Sequence, residues 1–206
     1  EALELAPGEP EIRRLRTAQL TGRVLATEVC EGVEGAWVFA MPMVRGFSLA
    51  FPAAVRTGAS GRFEMPGIAP GAVTVFAMGG GWASVGLADV EPEGYNPLAQ
   101  TLAPGESKEI ELEVEPAGRL EGRVVTSEGR GVGGTVLSLG SSFFAFRLTA
   151  QTALFGGGVG TTVTGSDGTF VVDTLIPGVA YKVEAQAVGS PPFGSDELRA
   201  ASGEAE

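Results

Sequence analysis

Leu20-Thr21-Gly22-Arg23-Val24 returns as Leu120-Glu121-Gly122-Arg123-Val124, a spacing of 100 residues. Gly61-Arg62-Phe63 returns as Gly168-Thr169-Phe170, and Ile68-Ala69-Pro70-Gly71 as Leu175-Ile176-Pro177-Gly178, each 107 residues on. The approach to each copy matches too, with Leu5-Ala6-Pro7-Gly8-Glu9 before the first and Leu102-Ala103-Pro104-Gly105-Glu106 before the second. Self-similarity at this period marks an array of like modules, and each copy has the length of a common domain. The expected division is residues 20–116 and 117–206. Residues 1–19 form the closing strand of a preceding repeat, and the second module is truncated at its last strand. On this reading the sequence starts and stops out of phase with its repeats and is a piece of a longer protein.

Within each copy the pattern is that of strands. Ala72–Met78 alternates Val73, Val75 and Ala77 with Thr74, Phe76 and Met78, and Glu109–Val114 sets Ile110, Leu112 and Val114 against three glutamates. A period of two describes a sheet with one buried face. The 32 glycines and 13 prolines suit short strands joined by tight turns. Gly58-Ala59-Ser60-Gly61 and Gly165-Ser166-Asp167-Gly168 read as hairpin turns. No segment carries a capped helical period. The expected fold is all-β, two tandem antiparallel β-sandwich domains with little or no helix. Their cores hold Leu20, Val24, Ala36, Val38, Phe63, Val73, Val75, Ile110, Leu112 and Val114 in the first copy. The second core holds Leu120, Val124, Leu137, Phe170, Val172 and Val183.

The ordered set Gly-Arg-Val, Gly-Val-x-Gly-Ala (Gly32–Ala36) or Gly-Val-x-Gly-Thr (Gly131–Thr135), Gly-x-Phe and Ile/Leu-x-Pro-Gly resembles the carboxypeptidase regulatory-like domain. The resemblance runs from Leu20 to about Val188. It implies a transthyretin-like, carbohydrate-binding-like (Ig-like) β-sandwich serving as a non-catalytic accessory module. It also implies an extracellular, cell-surface or periplasmic setting. Two stretches depart from the family plan, Met41–Ala54 and Gly140–Gly160, which lengthen the connection before the turn.

Composition narrows the chemistry. A net charge of −11, from 14 basic and 25 acidic residues, argues against nucleic acid, whose phosphates need a basic face. No run of 18 apolar residues predicts a membrane-spanning helix. With no histidine and the single Cys30, zinc hydrolysis and a histidine-activated nucleophile lack their groups. The histidine-dependent hydrolases within the transthyretin-like fold are excluded on the same ground. The acids of Glu106–Glu115 alternate outward along a strand, which a solvated face explains better than a glycosidase pair. Asp167 is a lone acid where a calcium loop needs several. The triplets Gly79-Gly80-Gly81 and Gly156-Gly157-Gly158 lack the Lys-Ser/Thr and helix of a phosphate loop. A Lys–Asn crosslink would have to use Asn96, the only asparagine. No catalytic residue, cofactor or metal is expected.

Sugar binding is the alternative, since sugars stack on exposed aromatic faces. The candidate ligand-binding residues are Trp37, Phe39, Trp82 and Tyr95, with Phe143, Phe144 and Phe146 in the long insert. Alternation in Ala36–Ala40 points Ala36, Val38 and Ala40 into the core and Trp37 and Phe39 to the opposite face. The competing reading buries that pair against the long insert or the adjoining module. Expected partners are neighbouring repeats of the parent protein or a polysaccharide, with neither nucleic acid nor a membrane span. Strand-exchange self-association is also expected, with Glu11–Ala18 as the spare strand beside an open sheet edge.

Overall fold

The computed structural model describes residues 16–42, 53–91, 94–140, 161–186 and 193–199. It is built almost wholly of strands. In chain order these are β1 (Ala18–Ala26), β2 (Trp37–Pro42), β3 (Ala53–Arg56), β4 (Arg62–Ile68), β5 (Gly71–Gly79), β6 (Trp82–Ser84), β7 (Ala99–Leu102) and β8 (Ser107–Pro116) in the first half. The second half holds β9 (Gly118–Arg123), β10 (Val136–Gly140), β11 (Thr161–Val163), β12 (Thr169–Leu175), β13 (Ala180–Gln186) and β14 (Phe193–Arg199). Two single-turn 3-10 segments, Ala59–Gly61 and Leu87–Asp89, are the helical content of the described residues.

In the first half the hydrogen-bonded order is β3-β2-β5-β6-β8-β1-β4, with β7 on the other side of β5. The path doubles back at Gly79-Gly80-Gly81, where all three glycines have positive φ. Strands on either side of this bend face one another across a shared core. That core takes Leu20 and Val24 from β1, Val38 from β2, Phe63 and Met65 from β4, Val75 from β5, and Leu112 and Val114 from β8. The second half repeats the plan with fewer described strands. Its β9 pairs with β12, as β1 does with β4, and the order β11-β10-β13-β14 repeats β3-β2-β5-β7.

Two expectations need correction. The turn at Gly58–Gly61 does not join a hairpin. β3 pairs with β2, whereas β4 pairs with β1, so the turn carries the chain from one layer to the other. The turn at Gly165–Gly168 does the same between β11 and β12. Its Gly-rich chemistry fits a tight reversal of either kind; what selects the layer change is Phe63 and Met65, which must reach the core beneath β1. The sandwich is also not wholly antiparallel. β8 lies parallel to β1 over eight residue pairs, from Gln19↔Ser107 to Ala26↔Val114.

The repeated motifs have physical reasons that the coordinates make plain. Gly22 sits opposite Phe63, and Gly122 opposite Phe170. A Cβ at Gly22 would fall on the Ile110 carbonyl and crowd the Phe63 ring, and one at Gly122 would meet the Phe170 ring at 2.6 Å. An aromatic ring laid over a cross-strand glycine is a known way to stabilise such a position. The arginine of each Gly-Arg-Val donates from Nε to the arch, Arg23 to the Ser60 carbonyl (3.2 Å) and Arg123 to the Asp167 carbonyl (2.7 Å).

Each arch is tied down by one buried threonine. The Thr57 hydroxyl donates to the Val33 carbonyl (2.7 Å) and accepts the Ala36 N–H (3.0 Å). In the second half the Thr164 hydroxyl donates to the Val132 carbonyl (2.7 Å) and accepts the Thr135 N–H (2.9 Å). Gly61 and Gly168 close the same arches at φ 72° and 86°, each with Val24 or Val124 oxygen where a Cβ would stand.

Gly67 supplies the control, since it has φ 76° but open space around a Cβ. Gly67→Ala should cost about 1–2 kcal/mol, the left-handed penalty alone. Gly61→Ala should cost more, because the backbone must also move. Urea unfolding of the two variants measures this; equal losses would refute the packing argument. Thr57→Val should lose about 1–3 kcal/mol by stranding the Ala36 N–H, with Thr57→Ser restoring most of it.

Candidate functional site

The most distinctive surface of the first half is not solvent-facing. Strand parity turns Trp37 and Phe39 away from the first core, and the β2–β5 register sets Phe39 opposite Phe76 and Trp37 opposite Met78. The Phe39 and Phe76 rings stack at 5.2 Å between centroids, and Trp37 lies 6.3 Å from Phe39. Phe39 and Phe76 are fully buried. Their apolar surroundings come from both halves. One apolar cluster unites Phe39, Phe76, Met78, Leu87 and Val90 with Leu139, Val172, Leu175, Ile176, Val179 and Tyr181. Contact extends to the Gly178 turn, whose Cβ position lies 3.8 Å from the Ala88 Cβ.

This cluster is also the second half's own core. Leu120, Phe170 and Val183, expected as core residues there, are half-buried and pack on its margin. Val124 is half-buried as well, whereas Leu20 and Val24 in the first half are fully covered. The first half's outer sheet face thus supplies part of what the second half needs to exclude water. Transfer of large aromatic and aliphatic side chains from water is worth roughly 1.5–3 kcal/mol each.

The equivalent face of the second half is different in kind. At the register positions of Trp37, Phe39, Phe76 and Met78 stand Val136, Ser138, Glu184 and Gln186. Val136 is 42% exposed and Glu184 is exposed. One copy presents an aromatic face that is covered, and the other a mixed polar one.

The expected ligand-binding residues are therefore dispersed. Phe39 leaves the exposed set altogether, because the cluster shared by both halves encloses it. Trp37 is half-buried, with the Arg56 guanidinium 5.1 Å from its ring centroid in a cation–π contact. Trp82, on β6, is half-buried against the first core and so belongs to a different cluster from Trp37. Tyr95 is 65% exposed in the loop before β7. Phe143, Phe144 and Phe146 lie outside the described residues. Sequence reasoning missed Phe76, Met78, Ile176 and Tyr181 as joint residues. The signal was present in Val73–Met78, which is apolar on both faces and so reads as a strand covered twice.

The remaining polar candidates are satisfied locally. Asp167 Oδ1 accepts the Thr169 hydroxyl (2.7 Å) and N–H (3.1 Å). These bonds, with Arg123 nearby, hold its carboxyl below the usual range. The Asn96 amide donates to the Thr74 hydroxyl (2.9 Å) and its oxygen accepts the Leu98 N–H (3.0 Å). Among the described residues no three His, Cys, Asp or Glu groups come together as a metal site, and no helix is long and apolar enough to cross a membrane.

No family model matches the chain, and no curated protein matches it. Solved structures do resemble it at low identity. The Bacillus anthracis TIE protein matches 92% of this chain at 16% identity and TM-score 0.34; the chain spans only 32% of that protein's length. The shaft pilin SpaA of Lactobacillus rhamnosus GG matches 91% of this chain and 95% of its own at 7% identity and TM-score 0.37. A DUF3823 family protein from Bacteroides ovatus matches 89% of this chain and 98% of its own at 14% identity and TM-score 0.34. The described residues are themselves almost wholly β.

Tyr181 reports on the joint. Its hydroxyl accepts the Ile176 N–H (3.0 Å), and burial pushes its pKa up to about 12. The unfolded chain releases that proton near pH 10. Stability owed to the neutral phenol is whole below pH 10 and drains away as pH rises from 10 to 12, by up to about 3 kcal/mol. Against Tyr181→Phe, the wild-type advantage in unfolding free energy should shrink across that window. A constant gap from pH 9 to 12 would show that the phenol is not held neutral.

Proposed function

We propose that this chain is a non-catalytic pair of β-sandwich modules, residues 20–116 and 117–206. The expected closing strand of a preceding repeat, residues 1–19, loses its last two residues to the first module, since Ala18 and Gln19 pair within β1. The pair acts as a structural spacer or protein-interaction unit in a larger surface, secreted or periplasmic protein. The observation that carries the reading is the shared apolar joint, in which Phe39 and Phe76 of one module and Ile176, Val179 and Tyr181 of the next are buried in one cluster. A flexible tether would leave each module to complete its own core. Here β8 runs into β9 across Ala117 alone, and the Ala117 N–H is further pinned to the Gly81 carbonyl (2.8 Å). Two modules so joined hold a set distance and direction, which is what a spacer must do. The motif resemblance to the carboxypeptidase regulatory-like domain supports the same assignment.

Calorimetry tests it. The chain should melt in one transition, because the second module's core is not complete without the joint. Phe76→Asp should split the melt in two, with the second module melting first. Two independent transitions in the wild-type protein would contradict the spacer reading.

Carbohydrate binding remains the second reading, favoured by the exposure of Tyr95 and the partial exposure of Trp37 and Trp82. Trp37 would have to exchange the Arg56 guanidinium for a sugar ring. Acrylamide quenching of single-Trp variants with a polysaccharide panel separates the readings. Tryptophans indifferent to every sugar support the spacer; protection of one by a particular sugar, lost in Tyr95→Ala, supports binding.

A further inference from the structure

The second arch carries Asp167-Gly168 where the first carries Ser60-Gly61, and Asp167 is exposed. An aspartate followed by glycine is open to attack by its own backbone, because no Cβ shields the glycine nitrogen. In that reaction the Gly168 nitrogen bonds to the Asp167 Cγ and loses its proton, while a carboxyl oxygen leaves as water. The resulting succinimide ring then takes water back. Opening at the main-chain carbonyl routes the chain through the side chain and leaves isoaspartate, with mass and oxidation state unchanged. Serine has no carboxyl, so the first arch has no such reaction.

The arch has no room for the product. Isoaspartate adds a methylene to the backbone at a crossing where the Asp167 carbonyl already lies at the place of a Cβ on Gly131, and the Val124 carbonyl at that of a Cβ on Gly168. Arg123 fixes the same Asp167 carbonyl from Nε at 2.7 Å. Both reacting groups are engaged elsewhere. The Gly168 N–H donates to the Gly165 carbonyl (2.9 Å). Asp167 Oδ1 accepts the hydroxyl (2.7 Å) and the N–H (3.1 Å) of Thr169. Ring closure has to break both arrangements. It also needs a protonated carboxyl so that water can leave, and two donors on one oxygen favour the ionised form.

We propose that Thr169 is a positioning residue that locks Asp167 against isomerisation, which makes the second arch a protected Asp-Gly site. The lock is the hydroxyl, which holds the carboxylate toward the start of β12 and off the Gly168 nitrogen. Thr169 belongs to the arch and not to the joint between the halves, so the proposal stands apart from the spacer reading.

The test follows isoaspartate at Asp167 by peptide mapping after warm incubation of the full chain in mildly acidic buffer. The reference is a capped peptide, Thr-Gly-Ser-Asp-Gly-Thr-Phe, the sequence of residues 164–170. The full chain should convert at least about tenfold more slowly than the peptide, and Thr169→Val at least about threefold faster than wild type, as expected for loss of a hydrogen bond to a charged group. Thr169→Ser keeps the hydroxyl and should convert at the wild-type rate, a rescue that a role in packing alone would not produce. Three results would overturn the proposal: wild-type conversion at the peptide's rate, equal rates for wild type and Thr169→Val, or Thr169→Ser as fast as Thr169→Val. The comparison of wild type with the peptide needs no variant, so it stands even where a substitution harms folding.

Discussion

One buried hydroxyl per copy holds each arch in place. Thr57 and Thr164 sit where the chain leaves one layer for the other, and each both donates to and accepts from the segment after the first strand. The geometry tolerates little else. The backbone at the foot of each arch passes so close to the first strand that only glycine fits, and the arginine of Gly-Arg-Val caps the arch from outside. The two threonines lie 107 residues apart, as do the two arch glycines, so the repeat seen in the sequence is a repeat of this knot of hydrogen bonds. Layer pairing, the position of Phe63 or Phe170 over its glycine, and the course of the second strand all depend on it.

Much of the fold was legible because period-two patterns and punctuating glycines are local signals. β5 and β8 fall within two residues of the expected Ala72–Met78 and Glu109–Val114. What could not be read were relations between distant segments. Gly58–Gly61 looks the same whether it joins partners in one sheet or strands in two, because the choice depends on where Phe63 can be buried. The parallel placement of β8 beside β1 is likewise a matter of connection, not of propensity. The short strands β6 and β7 carry too few residues to show a period.

The candidate residues illustrate the same limit. Alternation correctly turned Trp37 and Phe39 off the first core, and the sequence allowed two fates for that face, ligand or neighbour. Only the placement of the second half decides between them for Phe39. The comparison of the copies is more informative than either alone. Trp37, Phe39, Phe76 and Met78 correspond to Val136, Ser138, Glu184 and Gln186, and where Phe76 is buried Glu184 is exposed. Backbone knots are preserved between the halves while the outer face is not.

The parallel course of β1 and β8 has a mechanical side. The chain enters the first half at the start of β1 and leaves it at the end of β8, and the two strands point the same way. A pull on the two ends therefore drags neighbouring strands in opposite senses along their length. The ladder from Gln19↔Ser107 to Ala26↔Val114 is loaded in shear, with its hydrogen bonds sharing the strain together, where a hairpin pulled at its open end would unzip one bond at a time.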